Sequence, residues 1–222
     1  MTIKLLGIAG SMRNNSYSFK ALDLALRIAK ENYNAEINLF DLRKNRLPIY
    51  EPNLELDKIQ SSERESLQMA NTMVRWADAI ILTSPDYHGS MSGVLKNFLD
   101  FFWKEFSGKT FGYICASHEK GLTVMEQMRT AVRQCYGWSM PYGISTSSND
   151  FDLDGNITNQ KTILRIEMLS RDIVFYGKAI RDQFLSDTSN KVKESYSFLT
   201  LGKEWWGGFQ RKIDRIVAKK EE

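Results

Sequence analysis

The sequence predicts an α/β fold: a doubly wound, five-stranded parallel sheet with helices on both faces, followed by a C-terminal amphipathic helical extension. Three observations predict it. Five apolar runs, each too short for a helix, recur along the chain. Segments with apolar residues three and four apart follow them, which is the pattern of one buried helix face. The two patterns alternate throughout, and such alternation builds a parallel sheet joined by right-handed crossovers.

Each element has its own justification. Ile3 to Ala9 is apolar but for Lys4 and suits a strand covered on both faces. Gly10 to Ser18 is a loop, and Ser16 or Ser18 caps a helix marked by Phe19, Leu22, Leu26 and Ala29. Ala35 to Leu42 alternates in part and reads as the second strand. Asn45 to Lys58 contains Pro48 and Pro52 and reads as an irregular loop. Leu67, Ala70, Met73 or Val74, and Ala77 mark a helix over 63–76, and Ala79 to Thr83 is the third strand. Met91, Leu95, Phe98 and Phe102 line one helical face over 91–103. Val94, Leu99, Phe101 and Trp103 make its other side apolar too, so this helix must be buried on more than one side.

Thr110 to Ser117 is the fourth strand, and Met125, Met128, Val132 and Cys135 mark the next helix. Pro141 to Ser147 is the fifth strand, and Ile163 to Ile180 carries a long fifth helix. This gives one domain over residues 1–180. Residues 181–202 read as an irregular connector within a 181–222 extension. In its last part, 203–220, Trp206, Phe209, Ile213 and Ile216 share a helical face. That basic amphipathic stretch suits docking on the domain or a neighbouring subunit, or contact with a membrane surface or partner.

Length and composition narrow the function classes. A chain of 222 residues supports one domain with a sizeable core. A formal net charge of +3 argues against a strongly charged nucleic-acid binder and is unlike a strongly acidic electron carrier. Cys115 and Cys135 lie in apolar runs without CxxC spacing and read as reduced core thiols. No apolar run approaches the ~20 residues of a membrane span. The chain enters its first strand at once, without a signal peptide, and a cytoplasmic location is expected.

Three loops follow strands one, three and four, and a parallel sheet brings them to one edge, where ligands of such sheets bind. The first, Gly10 to Ser18, sets hydroxyls at 11, 16 and 18 and the Arg13 guanidinium around a helix N-terminus, an anion site. It is neither GxGxxG nor GxxxxGK[ST]. The second, Ser84 to Asn97, carries Tyr87 and His88 among Pro, Gly and Ser. The third is Ala116 to Leu122 and holds Ser117, His118, Glu119 and Lys120. Each has a plain structural reading as well: a serine-capped helix with a solvated arginine, an ordinary turn, and a connector. Their conjunction suits a flat ring carrying a phosphate tail, a description that fits FMN.

These residues also carry a resemblance. Gly10, Ser11, Arg13 and Ser16 are similar to the G-S-x-R-x-x-S phosphate loop of the NADPH-dependent FMN reductase family, the flavodoxin-like flavoproteins that include quinone, azo and chromate reductases. Pro85-Asp86-Tyr87-His88-Gly89-Ser90, then Gly93, Leu95, Lys96 and Asn97, resembles the family's P-E-Y-x-G-S-x-x-G-x-L-K-N segment, with Asp86 in place of Glu. The third loop departs from the family's Gly-rich form. The likeness runs over roughly residues 3–150, and Arg129, Arg133 and Trp138 to Pro141 extend it.

The resemblance implies a flavodoxin-like FMN-binding domain over 1–180. Ser11, Arg13, Asn15, Ser16 and Ser18 would hold the phosphate. Pro85, Asp86, Tyr87, His88, Gly89 and Ser90 would run along the ring, with Ser117 and His118 at its other edge. It implies NADPH, or NADH, as electron donor and a ping-pong transfer to a small acceptor: free flavin, quinone, azo compound or metal oxyanion. The chemistry is then flavin-borne, with no catalytic side chain and no metal site. A homodimer or homotetramer through the Met91–Trp103 helix is also implied. The competing reading is a flavodoxin-like FMN-binding electron carrier without NADPH activity of its own.

Overall fold

The computed structural model describes residues 2–55 and 57–189. The chain runs β1 (Lys4–Ala9), α1 (Tyr17–Tyr33), β2 (Glu36–Asp41), α2 (Ser61–Trp76), β3 (Ala79–Pro85), α3 (Gly93–Asp100), β4 (Thr110–Ala116), α4 (Leu122–Gln134), β5 (Trp138–Ser139), β6 (Ile144–Thr146) and α5 (Gln160–Ser189). The strand order is β2-β1-β3-β4-β5, with β6 also paired to β4, and every pairing is parallel. All strand carboxyl ends therefore meet at one edge. The winding reverses between β1 and β3, the switch point at which open α/β sheets bind ligands.

The strands are buried on both faces because side chains alternate. Leu6 and Ile8 of β1 enter a core shared with α2, α3 and α4, whereas Leu5 and Ala9 enter a second core shared with α1 and α5. The seven residues of β3 are all buried, which explains why its apolar run is continuous rather than alternating.

Three elements differ from the sequence reading. The fifth strand is broken in two: β5 pairs with Thr110 and Phe111, and β6 pairs with Ile114, Cys115 and Ala116. Pro141, which has no N–H to donate to a ladder, lies in the gap. The strand expected over 141–147 thus starts earlier, at Trp138, and stops at the proline.

α3 is shorter than 91–103. Ser92 caps it, its Oγ accepting the Leu95 N–H at 3.3 Å. After Asp100 the chain leaves the helix and packs Phe102 and Phe106 beside Phe98 and Phe111. The second apolar side is covered within the same chain. Tyr50, from the proline-containing loop, meets Phe101 edge-on at 5.2 Å, and Asn97 pins that loop by accepting the Tyr50 N–H and donating to the Pro48 carbonyl, both at 2.8 Å. Phe101 is 2% exposed, so much of the second apolar side is covered within the chain, and Trp103 is the large apolar side chain of the stretch that stays exposed.

α5 runs on through residues 181–189, where an irregular connector was expected. Arg181 holds it down by pairing with buried Asp78 at 3.2 Å, and the Phe184 ring fills the space beside Gly108. The amphipathic stretch 203–220 lies outside the described residues.

At the opposite edge of the sheet from the three loops, Lys109 precedes β4 with its side chain buried. Its Nζ donates to the Val74 carbonyl at 2.7 Å and to that of Ala77, closing the C-terminal end of α2. Burial, aided by the Arg181 guanidinium, brings its ammonium down to about 7. The unfolded chain holds this proton to about 10.5, so unfolding takes up a proton between those values. The Lys109 contribution to stability is therefore complete above about pH 10.5 and falls away as pH drops through 7. Lys109→Met strands two carbonyls and is expected to cost about 2–4 kcal/mol at pH 9 by urea unfolding, and less at pH 6. A gap independent of pH would contradict the assignment.

Candidate functional site

The first loop leaves β1 against the backbone of β3. The Gly10 N–H donates to the Thr83 carbonyl at 3.0 Å, and the Gly10 carbonyl accepts the Ser92 hydroxyl at 2.5 Å. A Cβ at position 10 would stand 2.3 Å from the Thr83 carbonyl oxygen, so glycine is required for this approach. Ser11 is buried and its Oγ accepts the Arg13 backbone N–H at 3.3 Å, while the Arg13 side chain is exposed. Asn15 turns the chain in the left-handed region, φ 54°. Ser16 caps α1, accepting the Phe19 N–H at 3.5 Å and sharing a 2.9 Å hydrogen bond with the Ser18 hydroxyl. The first turn of α1 carries no acidic side chain, so no carboxylate neutralises the positive end of this 17-residue helix. Arg43, placed after β2 by its bond to Asp41, donates to the Asn14 side chain and steadies the loop from that side.

The second loop begins at buried Pro85, the last residue of β3. Tyr87 and Ser90 exchange both backbone hydrogen bonds at 3.0 Å around His88 (φ 57°) and Gly89 (φ 75°). Two successive positive φ values define a type I′ turn. Asp86 fixes it from below: Oδ1 accepts the Gly89 N–H at 2.8 Å and Oδ2 accepts the Ser117 hydroxyl at 2.7 Å. The Asp86 N–H donates to the Ala116 carbonyl at 2.8 Å. Tyr87 and His88 are exposed at the tip.

The third loop is joined to this by the same Ser117, whose N–H donates to the Thr146 carbonyl at 2.9 Å and whose Oγ accepts the Glu119 N–H at 3.0 Å. His118 and Glu119 are exposed, and the chain turns into α4 through Lys120 (φ 66°) and Gly121 (φ 56°). A Cβ at position 121 would meet the Cys115 sulfur at 2.4 Å.

The structure thus brings every residue singled out in the sequence to one edge, bound into one surface through Gly10, Ser92, Asp86 and Ser117. Five of them are buried: Ser11, Ser16, Ser18, Pro85 and Ser117. Ser18 is wholly buried with its hydroxyl on Ser16, and Pro85 is buried at the end of its strand. Reactive thiols are also absent from this edge: burial pushes Cys115 up to about 12 and Cys135 up to about 11.

The donor set fits FMN. A phosphate monoester needs several N–H and O–H donors and positive potential, and the first loop offers a helix N-terminus, hydroxyls and a guanidinium. A flat ring needs an apolar or backbone surface, which the tight turn under Tyr87 supplies.

The family profile of NADPH-dependent FMN reductases matches residues 3–152. The chain belongs to this family. Membership brings FMN as cofactor and a reduced nicotinamide nucleotide as donor, and decides for a reductase over the electron carrier. Among relatives of the NADPH-dependent FMN reductases, the FMN-dependent NADPH-azoreductase of Staphylococcus saprophyticus is 31% identical over 185 residues, covering 79% of this chain and 96% of that protein. An NAD(P)H-dependent FMN reductase of Pseudomonas aeruginosa is 29% identical over 188 residues, covering 81% and 97%. The solved structure of FerB, a flavoenzyme NAD(P)H:acceptor oxidoreductase from Paracoccus denitrificans, superimposes with a TM-score of 0.65 at 19% identity, covering 80% and 98%, and supports the flavodoxin-like fold.

Sequence reasoning missed several residues of this edge. Gln127 of α4 reaches the second loop, and Phe151, in the segment after β6, stacks on Tyr17 at the start of α1 with ring centroids 4.5 Å apart. A lone glutamine on a helix gives no periodic signal, and Phe151 lies between the fifth strand and the fifth helix, in a segment without apolar periodicity. Among the described residues no helix is long and apolar enough to cross a membrane.

Proposed function

We propose that this NADPH-dependent FMN reductase uses the three-loop edge to hold FMN and passes electrons from NADPH to a small acceptor: an azo compound, quinone, free flavin or metal oxyanion. The observation that carries the reading is the α1 N-terminus with no acidic side chain in its first turn, joined through Gly10 and Ser92 to the Tyr87–Ser90 turn. Azo compounds and free flavin come first among acceptors because the two relatives matched over nearly their whole length are named an azoreductase and an FMN reductase.

In this reading Ser11, Arg13, Asn15 and Ser16 hold the phosphate, with Ser18 orienting Ser16. The Asp86–Ser90 backbone and the Tyr87 ring carry the flat ring. Ser117 and His118 bound its other edge. When bound, FMN would supply the redox chemistry, hydride acceptance from a nicotinamide and electron release to an acceptor in a second half-reaction. The residues of the chain bind and orient and need not act as nucleophiles. The two free thiols, Cys115 buried and Cys135 half-buried, suit a reducing compartment, in keeping with a cytoplasmic enzyme.

Initial rates with NADPH and an azo dye test the scheme. Parallel double-reciprocal lines across dye concentrations are expected for two separate half-reactions. Intersecting lines would mean that donor and acceptor bind together and would reject it.

A further inference from the structure

We infer that Gln127 is a positioning residue for the flavin ring, holding the Tyr87–Ser90 turn to α4 so that the second and third loops act as one rigid support. The inference rests on the proposed placement of the ring along that turn.

Gln127 spends its whole amide on the turn. Its Nε2 donates to the Gly89 carbonyl at 3.3 Å and to the Ser90 hydroxyl at 3.1 Å, and its Oε1 accepts the Met91 N–H at 3.1 Å. One helical turn earlier on the same face, the Thr123 hydroxyl lies 3.6 Å from where a Cβ on Gly89 would stand. The other side of the Gly89 peptide is taken by Asp86, which accepts its N–H. Both polar groups of Gly89 are therefore bonded within the protein, and the left-handed pair His88 and Gly89 is clamped between the Asp86–Ser117 bridge and α4.

Such a turn needs no clamp to exist, because a type I′ hairpin is closed by its own two backbone bonds. Its polar groups lie at an exposed tip, where water would satisfy them equally well. What three further bonds add is a fixed orientation relative to α4 and the third loop, which begins that helix. A ring resting on the turn inherits this orientation, and a loosened turn must be ordered each time the ring binds.

The test uses the full-length protein and FMN. Gln127→Leu removes all three bonds at nearly constant volume. Gln127→Glu keeps the acceptor for the Met91 N–H but loses the donors and sets a carboxylate against the Gly89 carbonyl. The expected result is an apoprotein melting temperature within a few degrees of wild type, an FMN dissociation constant raised about tenfold, and an altered visible circular dichroism band of the bound flavin in both variants. Unchanged affinity with an unchanged band would overturn the inference, and so would a fall in apoprotein stability with affinity intact. If Gln127→Leu does not fold, Gln127→Glu alone decides between these outcomes. Failure of the wild-type protein itself to bind FMN would instead count against the proposed function.

Discussion

Replacing Arg13 by alanine is expected to raise the dissociation constant for FMN about 10- to 150-fold, the equivalent of one charge-assisted hydrogen bond of about 1.5–3 kcal/mol. The side chain is exposed beside the α1 N-terminus, so its loss removes a phosphate partner without opening the core. The apoprotein melting temperature should stay within a degree or two, because surface substitutions of this kind cost little. Arg13→Lys should recover only part of the affinity, since an ammonium lacks the planar fork that grips two phosphate oxygens. Quenching of free FMN fluorescence measures all three proteins. Equal affinity in the alanine variant would remove Arg13 from the phosphate site.

Gly10→Ala is expected to damage both fold and site. The added methyl would stand 2.3 Å from the Thr83 carbonyl oxygen and 3.0 Å from the Leu95 Cβ, and the first of these is backbone that cannot swing aside. The loop must move off β3, weakening the Gly10–Thr83 and Ser92–Gly10 hydrogen bonds together. Overpacking and the lost bonds should cost about 2–4 kcal/mol, or about 5–15 °C in melting temperature for a domain of this size. Because Gly10 links the first loop to the second, FMN affinity should fall further than in Arg13→Ala. Gly93→Ala is the matched control: nothing lies within 4 Å of a Cβ there, and it opens α3, so alanine should be neutral or stabilise by about 0.5–1 kcal/mol. Similar melting temperatures for the two variants would show that the close approach at Gly10 is relaxed at little cost.

The contrast between Gly10 and Gly93 marks the limit of what the sequence discloses. Both glycines stand in family motifs, and only the coordinates separate the one that is pressed on backbone from the one in open space. Burial patterns were legible: the continuous apolar run of β3 and the spaced apolar residues of α1 each follow from local period. What covers a face was not legible. The double apolar face beyond Met91 suggested a subunit interface, and part of it is covered within the chain because Tyr50, from a loop without periodicity, folds over Phe101. Element ends were set by features without a strong local signal. Ser92 starts α3 late, Pro141 splits a strand, and the Asp78–Arg181 pair, 103 residues apart, helps carry α5 past residue 180.

The site followed the same rule. Loops after parallel strands must converge on one edge, so Ser11, Arg13, Ser16, Tyr87 and Ser117 could be gathered from the strand pattern alone. The side chains that lock those loops together were invisible, because Asp86–Ser117, Gln127–Gly89 and Arg43–Asn14 join residues 31, 38 and 29 apart with no spacing rule. The burial of Ser18 and its hydrogen bond to Ser16 were equally invisible in a hydroxyl-rich loop.

The most direct test is an anaerobic absorbance titration of the FMN-loaded protein with NADPH. The oxidised flavin band should bleach with about one equivalent of NADPH and return when an azo dye or quinone is added, because one hydride donor reduces one flavin and one acceptor reoxidises it. A band that stays oxidised in excess NADPH, on protein shown to retain FMN, would contradict the assignment of the three-loop edge as a nicotinamide-accessible flavin site.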